Sequence, residues 1–265
     1  MDKQKVAILS TVANFDLYKK SSTLFPKDIQ RYVINGTNGM HGLHSITYMM
    51  SKLKGKGIEW LVMADEDVIF TDANQVFSII EDMETNHLTV CGVRDGGVIL
   101  HRKENPYAIN TFFSVLNFKE VESIWNEKEM LANQFINVGE FPDSLAKLPY
   151  EYNEHSVYEP YYCFYFWLRR KGKQFLFLDT KMSTDGIANI VYYKEKEVLC
   201  HTWYARSYGI NQKHTGRINE ILNARGVLDA SSSSLSDVIL YKKTTFALEQ
   251  KIKKYYKKVC RKLFK

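Results

Sequence analysis

The sequence predicts an α/β fold in which helices flank a mostly parallel central sheet and an amphipathic helical tail follows. First, strand-like and helix-like segments alternate through the first 93 of the 265 residues, as in a parallel sheet with right-handed crossovers. Second, the strand-like segments are short, continuous apolar runs, as expected for strands covered on both faces. Third, a hydrophobic content of 45% is sufficient for a sizeable core.

The amino-terminal half contains four predicted strands and three predicted helices. Apolar runs predict strands over residues 5–12, 31–35, 60–64 and 88–93. Helices are predicted from a cap at Asp16 to Leu24, from Leu43 to Leu53, and from Asp72 onward. Turn dipeptides, among them Asn35-Gly36, separate these elements.

The carboxyl-terminal half has a less regular pattern. Strands are predicted over residues 111–118, 174–178 and 198–203, and helices over residues 121–133, 159–170 and 211–225. The second of these helices begins with Glu159-Pro160, because proline is favoured in a first turn. Residues 137–157 form a long predicted loop, and loops of this length are often functional. We therefore expect residues 137–157 to be the place where an acceptor substrate is recognised.

Charge divides the chain into a mildly acidic body and a strongly basic tail. Residues 242–265 contain ten Lys or Arg and one Glu, which gives +9 in a chain of net charge +6 and leaves −3 for the remainder. Residues 1–227 are predicted to form the folded domain, 228–237 a Ser-rich linker, and 238–265 a basic amphipathic helix. In that helix Leu248, Ile252, Val259 and Leu263 recur at helical spacing among lysines.

The cysteines and the apolar segments predict a cytoplasmic protein. The four cysteines form no C-x-x-C pair and three lie in apolar runs, which is typical of buried free thiols in a reducing compartment. No apolar stretch is long enough to span a bilayer, and the amino terminus lacks a signal-peptide pattern.

The predicted strand over residues 60–64 leads into Asp65-Glu66-Asp67. A buried parallel strand ends at the edge where open α/β sheets hold their ligands. Carboxylates in that position require a positive partner, and oxygen ligands suit Mg²⁺ or Mn²⁺ together with substrate phosphates. The alternative is a capping role at the start of the helix that follows near Asp72.

The loops after the first two strands open on the same edge as these aspartates. The residues of interest at these strand ends and loops are Thr11, Val12, Asn14, Asn35 and Gly36. We expect these residues to contact one ligand together with Asp65. The alternative is that they serve only as turn residues.

The order of these features resembles a nucleotide-sugar-dependent glycosyltransferase of the GT-A fold, of the kind that builds bacterial surface polysaccharides. The resemblance covers roughly residues 4–225. It is carried by Asp65-Glu66-Asp67 in its strand context, by the helix from Glu159 to Arg169-Arg170-Lys171-Gly172, and by a late histidine, His201.

The resemblance implies a divalent metal, Mn²⁺ or Mg²⁺, that bridges to the diphosphate of the donor. Asp67 would bind this metal, Asp65 would contact the ribose or reach the metal through water, and His201 would complete the metal shell. The alternative for His201 is an ordinary hydrogen-bonded histidine at a strand end.

The resemblance also implies a general base that takes the proton of an acceptor hydroxyl. Glu159 is the candidate, with Asp143, Glu151 and Glu154 of the preceding loop as rivals. A base in this position would give a single displacement with inversion at the anomeric carbon. Asp95, Asp179 and Asp185 are candidates for hydrogen bonds to sugar hydroxyls, and Trp203 and Tyr204 for stacking on a sugar or for core packing.

The expected partners are a nucleotide-sugar donor, a glycan or lipid-linked acceptor, and an anionic membrane surface that binds residues 238–265 at the inner face of the cell membrane. Alternatives for the tail are nucleic-acid binding, oligomerisation and a solvated helix. Alternatives for the whole protein are a sugar nucleotidyltransferase and a non-catalytic carbohydrate-binding protein. The first is less favoured because 11–14 is not a Gly-rich basic loop.

Overall fold

A computed structural model describes residues 2–96, 104–229 and 237–263, without the side chains of residues 257 and 261–263. It confirms the predicted α/β class, with a seven-stranded, mostly parallel sheet flanked by helices and a second, smaller sheet. The strands in chain order are β1 Val6–Val12, β2 Gln30–Asn35, β3 Trp60–Ala64, β4 Val68–Phe70, β5 Val90–Arg94, β6 Ile109–Asn117, β7 Phe175–Phe177, β8 Asp179–Met182, β9 Asn189–Tyr193, β10 Lys196–His201 and β11 Val238–Tyr241.

The helices cover the sheet on both faces and continue into the tail. In chain order they are α1 Phe15–Ser21, α2 Leu43–Leu53, α3 Gln75–Thr85, α4 Phe118–Ile124, α5 Glu127–Leu131, α6 Tyr162–Arg170, α7 Gln212–Ala224 and α8 Phe246–Leu263. The predicted helix over 43–53 is therefore confirmed to the residue.

The large sheet has the strand order β11-β2-β1-β3-β6-β5-β7. All neighbouring pairs are parallel except those that involve β6, which runs against β3 and β5. The carboxyl ends of the other six strands therefore lie at one edge, here called the carboxyl edge. The small sheet, β4-β10-β9-β8, is antiparallel throughout.

Alternate residues of β1 pack into two separate cores. Ala7 and Leu9 face a core built with α2 and α6, whereas Val6 and Ile8 face a core built with α3. This is the period-two alternation of a strand covered on both faces. Residues 162–168 of helix α6 are all buried, so this aromatic-rich helix is covered around its whole circumference.

Four local predictions differ from the structure. Asn14, not Asp16, caps α1 through a hydrogen bond from the Leu17 backbone N–H. The single helix predicted over 121–133 is two short helices, α4 and α5. Helix α6 begins at Tyr162, so Glu159 and Pro160 precede its first turn. Residues 179–189, for which no strand is predicted, contain β8 and the start of β9.

The predicted boundary between linker and tail helix is also wrong. Residues 238–241, expected to be helical, form β11 and pair in parallel with β2 at the edge of the large sheet. The ring of Tyr241 stacks on that of Tyr32 with 5.9 Å between centroids. The tail helix, α8, starts only at Phe246. Residues 230–236 of the predicted linker lie outside the described residues.

Candidate functional site

The Asp65-Glu66-Asp67 turn lies at the junction of the two sheets. It follows β3 at the carboxyl edge, and the Asp65 backbone N–H donates to the Phe112 carbonyl of β6 at 2.9 Å. The chain then turns through a hydrogen bond from the Val68 N–H to the Asp65 carbonyl and enters β4 of the small sheet. The turn does not cap a helix, because α3 begins later, at Gln75.

Asp67 and His201 form a buried pair across this junction. The Asp67 Oδ2 atom lies 3.4 Å from the His201 Nε2 atom. The pairing of β4 with β10 brings them together, and the Thr202 N–H donates to the Asp67 carbonyl at 3.0 Å. The His201 ring stacks on Phe112 with a centroid distance of 3.9 Å. The imidazole is therefore held with one nitrogen facing a carboxylate.

Glu66, between the two aspartates, fastens the motif to the end of β1. Its Oε1 atom accepts hydrogen bonds from the backbone N–H groups of Ala13 and Asn14 at 2.9 and 3.0 Å. The Glu66 carbonyl accepts from the Ser21 hydroxyl at 2.8 Å. No local sequence pattern indicates this role, because the partners lie 53 and 52 residues earlier in the chain.

Burial and neighbouring negative charge raise the pKa values of Asp65 and Glu66. Burial, followed by the charges of Glu66 and Asp67, holds the pKa of Asp65 well above its usual value, and Arg206 opposes the shift. Burial and the charge of Asp67 raise the pKa of Glu66 to about 7, although the backbone N–H groups that it accepts from act in the opposite direction. A cation at this turn would favour the ionised forms.

The residues present are suited to part of a metal shell. Within the described ranges no group of three or more His, Cys, Asp or Glu side chains is arranged to hold an ion. The Asp67–His201 pair nevertheless has one carboxylate oxygen and one imidazole nitrogen 3.4 Å apart. The other ring nitrogen, Nδ1, is buried without a hydrogen-bond partner among the described residues. Two protein ligands suffice when substrate phosphates and water supply the rest.

The turn residues expected to bind a nucleotide have internal partners at the carboxyl edge. The Asn14 amide donates to the carbonyls of Ala205 and Tyr208 at 3.0 and 2.8 Å, so it joins the end of β1 to the segment after β10. Asn35 accepts from the Thr37 N–H and hydroxyl in an Asx turn. Their contact with a nucleotide stays a prediction.

Thr11, Val12 and Gly36 bring the ends of β1 and β2 together. The hydroxyl of Thr11 is hydrogen-bonded to that of Ser45 in α2. The Gly36 N–H donates to the Val12 carbonyl at 2.8 Å. A Cβ atom at residue 36 would lie 2.9 Å from the Met40 carbonyl oxygen, so only glycine is accommodated without a shift. This close approach places the loop after β2 next to that after β1, as predicted.

Asp95 is buried in a hydrogen-bond network instead of facing a cleft. Its Oδ1 atom accepts from the Gly96 N–H and the Asn110 amide, and its Oδ2 atom accepts from the hydroxyls of Tyr161 and Tyr162. The residue has no exposed surface. Contact with a sugar hydroxyl, expected from the sequence, would require displacement of one of these donors.

Glu159 is two residues before Tyr161, whose side chain lies at the carboxyl edge. Tyr161 donates to Asp95 at the end of β5 and packs against Gly42 at the start of α2. Glu159 is half-buried, and its carbonyl accepts from the Tyr162 N–H and the Gln134 amide. Because α6 begins three residues later, Glu159 precedes the helix that the sequence predicts it to begin.

The rivals of Glu159 have different surroundings. Asp143 is held by Arg94 and Arg169 and is only 13% exposed at its side chain, so both of its oxygens are occupied. Glu154 is exposed and accepts from the Tyr107 hydroxyl at 2.6 Å. Glu151 is exposed. Asp143 is therefore the least suited of the four to take a proton.

The remaining sugar-contact candidates occupy the small sheet and the segment after it. Asp185 pairs with Arg217 at 2.8 Å and accepts from two backbone N–H groups, and Asp179 is exposed at the start of β8. Trp203 donates to Asn189. The exposed ring of Tyr204 stacks on His214 with 4.0 Å between centroids. Tyr204 is thus accessible, whereas Asp185 is a structural ion-pair residue.

Arg206 is a basic residue of this region that the sequence did not single out. It is exposed, lies in the 3₁₀ turn after β10, and is near enough to Asp65 to oppose the rise in that residue's pKa. It also contributes, after burial, to the lowered pKa of His41 on the loop before α2. A lone arginine after a strand has no spacing signal that would have identified it.

Two surface cavities lie away from the Asp67–His201 pair. One, of about 630 Å³, is lined by residues before β1 and β3, among them Lys5 and Glu59. The other, of about 500 Å³, lies beside Phe25 and Phe77. Neither is lined by Asp65 or Asp67, so these cavities do not mark the predicted donor site.

Comparison with known proteins gives only distant similarities. No protein-family model and no curated protein matches the chain. The crystal structure of A197 from STIV is 14% identical with a TM-score of 0.35, and the match covers 73% of this chain and 93% of that one. The crystal structure of mouse xyloside xylosyltransferase 1 in its apo form is 11% identical with a TM-score of 0.39, with coverages of 82% and 94%. Similarity this low assigns no activity to the chain.

Proposed function

We propose that the protein is a metal-dependent glycosyltransferase that moves a sugar from a nucleotide-sugar donor to a hydroxyl of a glycan or lipid-linked acceptor. The observation that carries the proposal is the buried Asp67–His201 pair beside Asp65 at the carboxyl edge. Ligands of open α/β sheets bind at this edge. The pair supplies the two kinds of donor atom that a divalent cation takes from protein.

In this proposal Asp67 and His201 hold Mn²⁺ or Mg²⁺. The bound metal would offset negative charge that develops on the departing diphosphate. The stacking of His201 on Phe112 fixes the plane of the imidazole. Glu66 holds residues 13 and 14 of the loop after β1 against the Asp65-Glu66-Asp67 turn, which supports the proposal that Thr11, Val12 and Asn14 contact the nucleotide.

Glu159 is the proposed general base for the acceptor hydroxyl. A carboxylate in this role must come within hydrogen-bond reach of the hydroxyl proton. Glu159 is half-buried at the carboxyl edge, and its rival Asp143 has both oxygens occupied by arginines. A base acting on the acceptor directly gives a single displacement with inversion of the anomeric carbon.

The proposal is tested by turnover of nucleotide sugars. A thermal-shift panel of nucleoside diphosphates with Mn²⁺ first selects the nucleotide, because ligands that bind only the folded state raise the melting temperature. Release of nucleoside diphosphate from the matching sugar donors is then measured. Asp67→Asn should reduce the metal-dependent rate by about 100-fold or more, and Glu159→Gln should reduce transfer to the acceptor.

The matched control is Asp72→Asn, since Asp72 accepts from the Asn74 N–H near the start of α3 and lies outside the proposed site. It should keep the wild-type rate. Absence of metal-dependent turnover with every donor, or an Asp67→Asn rate equal to the wild-type rate, would refute the proposal. Release of pyrophosphate from a nucleoside triphosphate and a sugar 1-phosphate, without turnover of any nucleotide sugar, would instead identify a nucleotidyltransferase.

A further inference from the structure

Helix α8 has an exposed surface that is both apolar and basic, here called the tail surface. Its apolar members are Leu248, Ile252, Tyr255 and Tyr256, each between 59% and 71% exposed. Its basic members are the exposed Lys251, Lys253, Lys254 and Lys258. Within the described part of the chain, no helix is both long and apolar enough to cross a bilayer.

The root of α8 is fastened to the carboxyl edge of the large sheet. Because β11 runs parallel to β2, its carboxyl end lies beside the loop after β2. The Asn38 amide of that loop donates to the Lys243 carbonyl at 2.8 Å. Phe246 is buried, and its ring lies edge-on to His44 of α2 with 5.2 Å between centroids. The helix therefore begins at the same edge as Asp65 and Asp67.

The first turns of α8 stay close to that edge. Burial, followed by the charges of Lys253 and Lys243, lowers the pKa of His44 at the start of α2. Lys253 lies seven residues into α8, so about two turns of the helix remain within electrostatic range of the α2 start. The first part of the tail surface is thus near the start of α2, at the carboxyl edge.

We propose that the tail surface binds an anionic membrane and that this binding turns the carboxyl edge of the sheet toward the bilayer. Exposed apolar side chains flanked by lysines match a leaflet that combines acyl chains with negative headgroups. The binding itself does not depend on the glycosyltransferase proposal. Together with it, however, the arrangement favours an acceptor carried on a membrane lipid.

Charge argues against two other occupants of the tail surface. A second copy of α8 would bring two helices together that each contain seven Lys or Arg and a single Glu, and like charges repel. A nucleic acid would contact the lysines but would leave the exposed Leu248 and Ile252 without apolar partners. A leaflet satisfies both kinds of side chain.

The first experiment measures flotation of the full chain with two kinds of vesicle. One is pure phosphatidylcholine, and the other also contains roughly 30% of the anionic lipid phosphatidylglycerol. The wild-type protein should float with the anionic vesicles and remain unbound with the neutral ones. Replacement of Lys251, Lys253, Lys254 and Lys258 by Glu should weaken binding by about 100-fold or more. Replacement of Leu248 and Ile252 by Ser should weaken it as well.

The matched control replaces four exposed lysines outside α8 by Glu: Lys27, Lys54, Lys56 and Lys213. It changes the net charge equally and should keep most of the binding. Equal loss in this control, equal binding to neutral vesicles, or self-association without vesicle binding would overturn the proposal. Binding of duplex DNA by a chain that does not float would overturn it in favour of nucleic acid.

The second experiment tests the orientation of the bound protein. A Cys260→Ser background leaves Cys91, Cys163 and Cys200, all buried, so an added cysteine can be labelled selectively. Thr37→Cys places a fluorophore at the carboxyl edge, and Lys56→Cys places one between α2 and β3, at the opposite edge. A headgroup quencher should reduce the fluorescence at residue 37 several-fold more than at residue 56. Equal quenching, or stronger quenching at residue 56, would overturn the orientation.

Discussion

At the scale of single residues, Asp143 is a carboxylate that stabilises the fold. Arg94 and Arg169 both donate to it, and Arg169 also lies over the ring of Phe141, 4.5 Å from its centroid. Burial acts to raise the pKa of Asp143, but the hydrogen bonds from the two arginines outweigh burial and hold the pKa below its usual value. The ion pairs fasten the long loop to α6 and β5.

This pairing predicts a pH-dependent difference between the wild type and Asp143→Asn. A carboxylate whose folded pKa is depressed contributes stability that is fully present above its unfolded pKa, about 3.9, and is lost as the pH falls through the folded pKa. At pH 7 the variant should be less stable by about 3 kcal/mol, since it leaves two arginines without their partner.

Denaturant unfolding of both proteins between pH 7 and pH 3 measures this difference. The gap should narrow below about pH 4 as Asp143 becomes protonated in the wild type. A gap that stays constant down to pH 3 would contradict the assigned ion pairs. Glu151→Gln is the control, because Glu151 is an exposed acid of the same loop.

Local sequence patterns predict which residues follow the ends of strands. They do not predict which of these residues form hydrogen bonds with residues far away in the chain. The apolar run before Asp65 is a local signal, and the structure places that residue at the carboxyl edge as predicted. The apolar run of β5 likewise predicts Asp95 at the carboxyl edge. In the structure, however, Asp95 is buried and accepts hydrogen bonds from Tyr161 and Tyr162, which lie 66 and 67 residues later in the chain. Hydrogen bonds over such separations leave no periodic trace in the sequence.

At the scale of elements, β11 differs most from what the sequence predicted. The sequence predicts this four-residue apolar segment, residues 238–241, as part of the helix because the amphipathic pattern begins soon afterwards. Pairing with β2 decides the matter: the strand covers the edge of the sheet, and Tyr241 packs on Tyr32. Tertiary contacts outweigh local propensity in such short segments.

Two truncations should therefore differ in stability. A chain that ends after residue 250 keeps β11, the buried Phe246 and the ion pair between Lys243 and Glu249, so its melting temperature should lie within a few degrees of the wild-type value. A chain that ends after residue 236 loses these contacts and should melt at least about 5 °C lower. Thermal unfolding by circular dichroism measures both. Equal melting temperatures for the two truncated chains would show that β11 adds no stability.

The sequence does not predict the small sheet, because the turn between β9 and β10 lacks the usual hairpin residues. Strands β9 and β10 are joined at Lys194 and Glu195, which both have positive φ angles, 47° and 64°. Two-residue hairpins of this shape usually carry Asn or Gly, so the turn had no recognisable signal. Strand β8 is also half-exposed and polar, which made it resemble a loop.

At the scale of the whole molecule, the carboxyl edge gathers segments from most of the chain. Glu66 joins the β3 turn to β1, Asn14 joins β1 to the segment after β10, and Asn38 joins the β2 loop to the root of α8. The order of strands and helices was enough to predict this edge. The contacts between the large sheet, the small sheet and the tail depend on pairings between residues more than 100 positions apart, which the sequence pattern does not encode.

Asp67 and His201 are proposed to hold a divalent cation whose remaining ligands include oxygens of a nucleoside diphosphate. Crystals soaked with Mn²⁺ and the nucleotide selected by thermal shift would test it through anomalous scattering from manganese. A manganese peak is expected about 2.0–2.3 Å from an Asp67 carboxylate oxygen and from His201 Nε2, with bound nucleotide next to it. A manganese peak elsewhere, or bound nucleotide at another edge of the sheet, would show that Asp67 and His201 do not form this site.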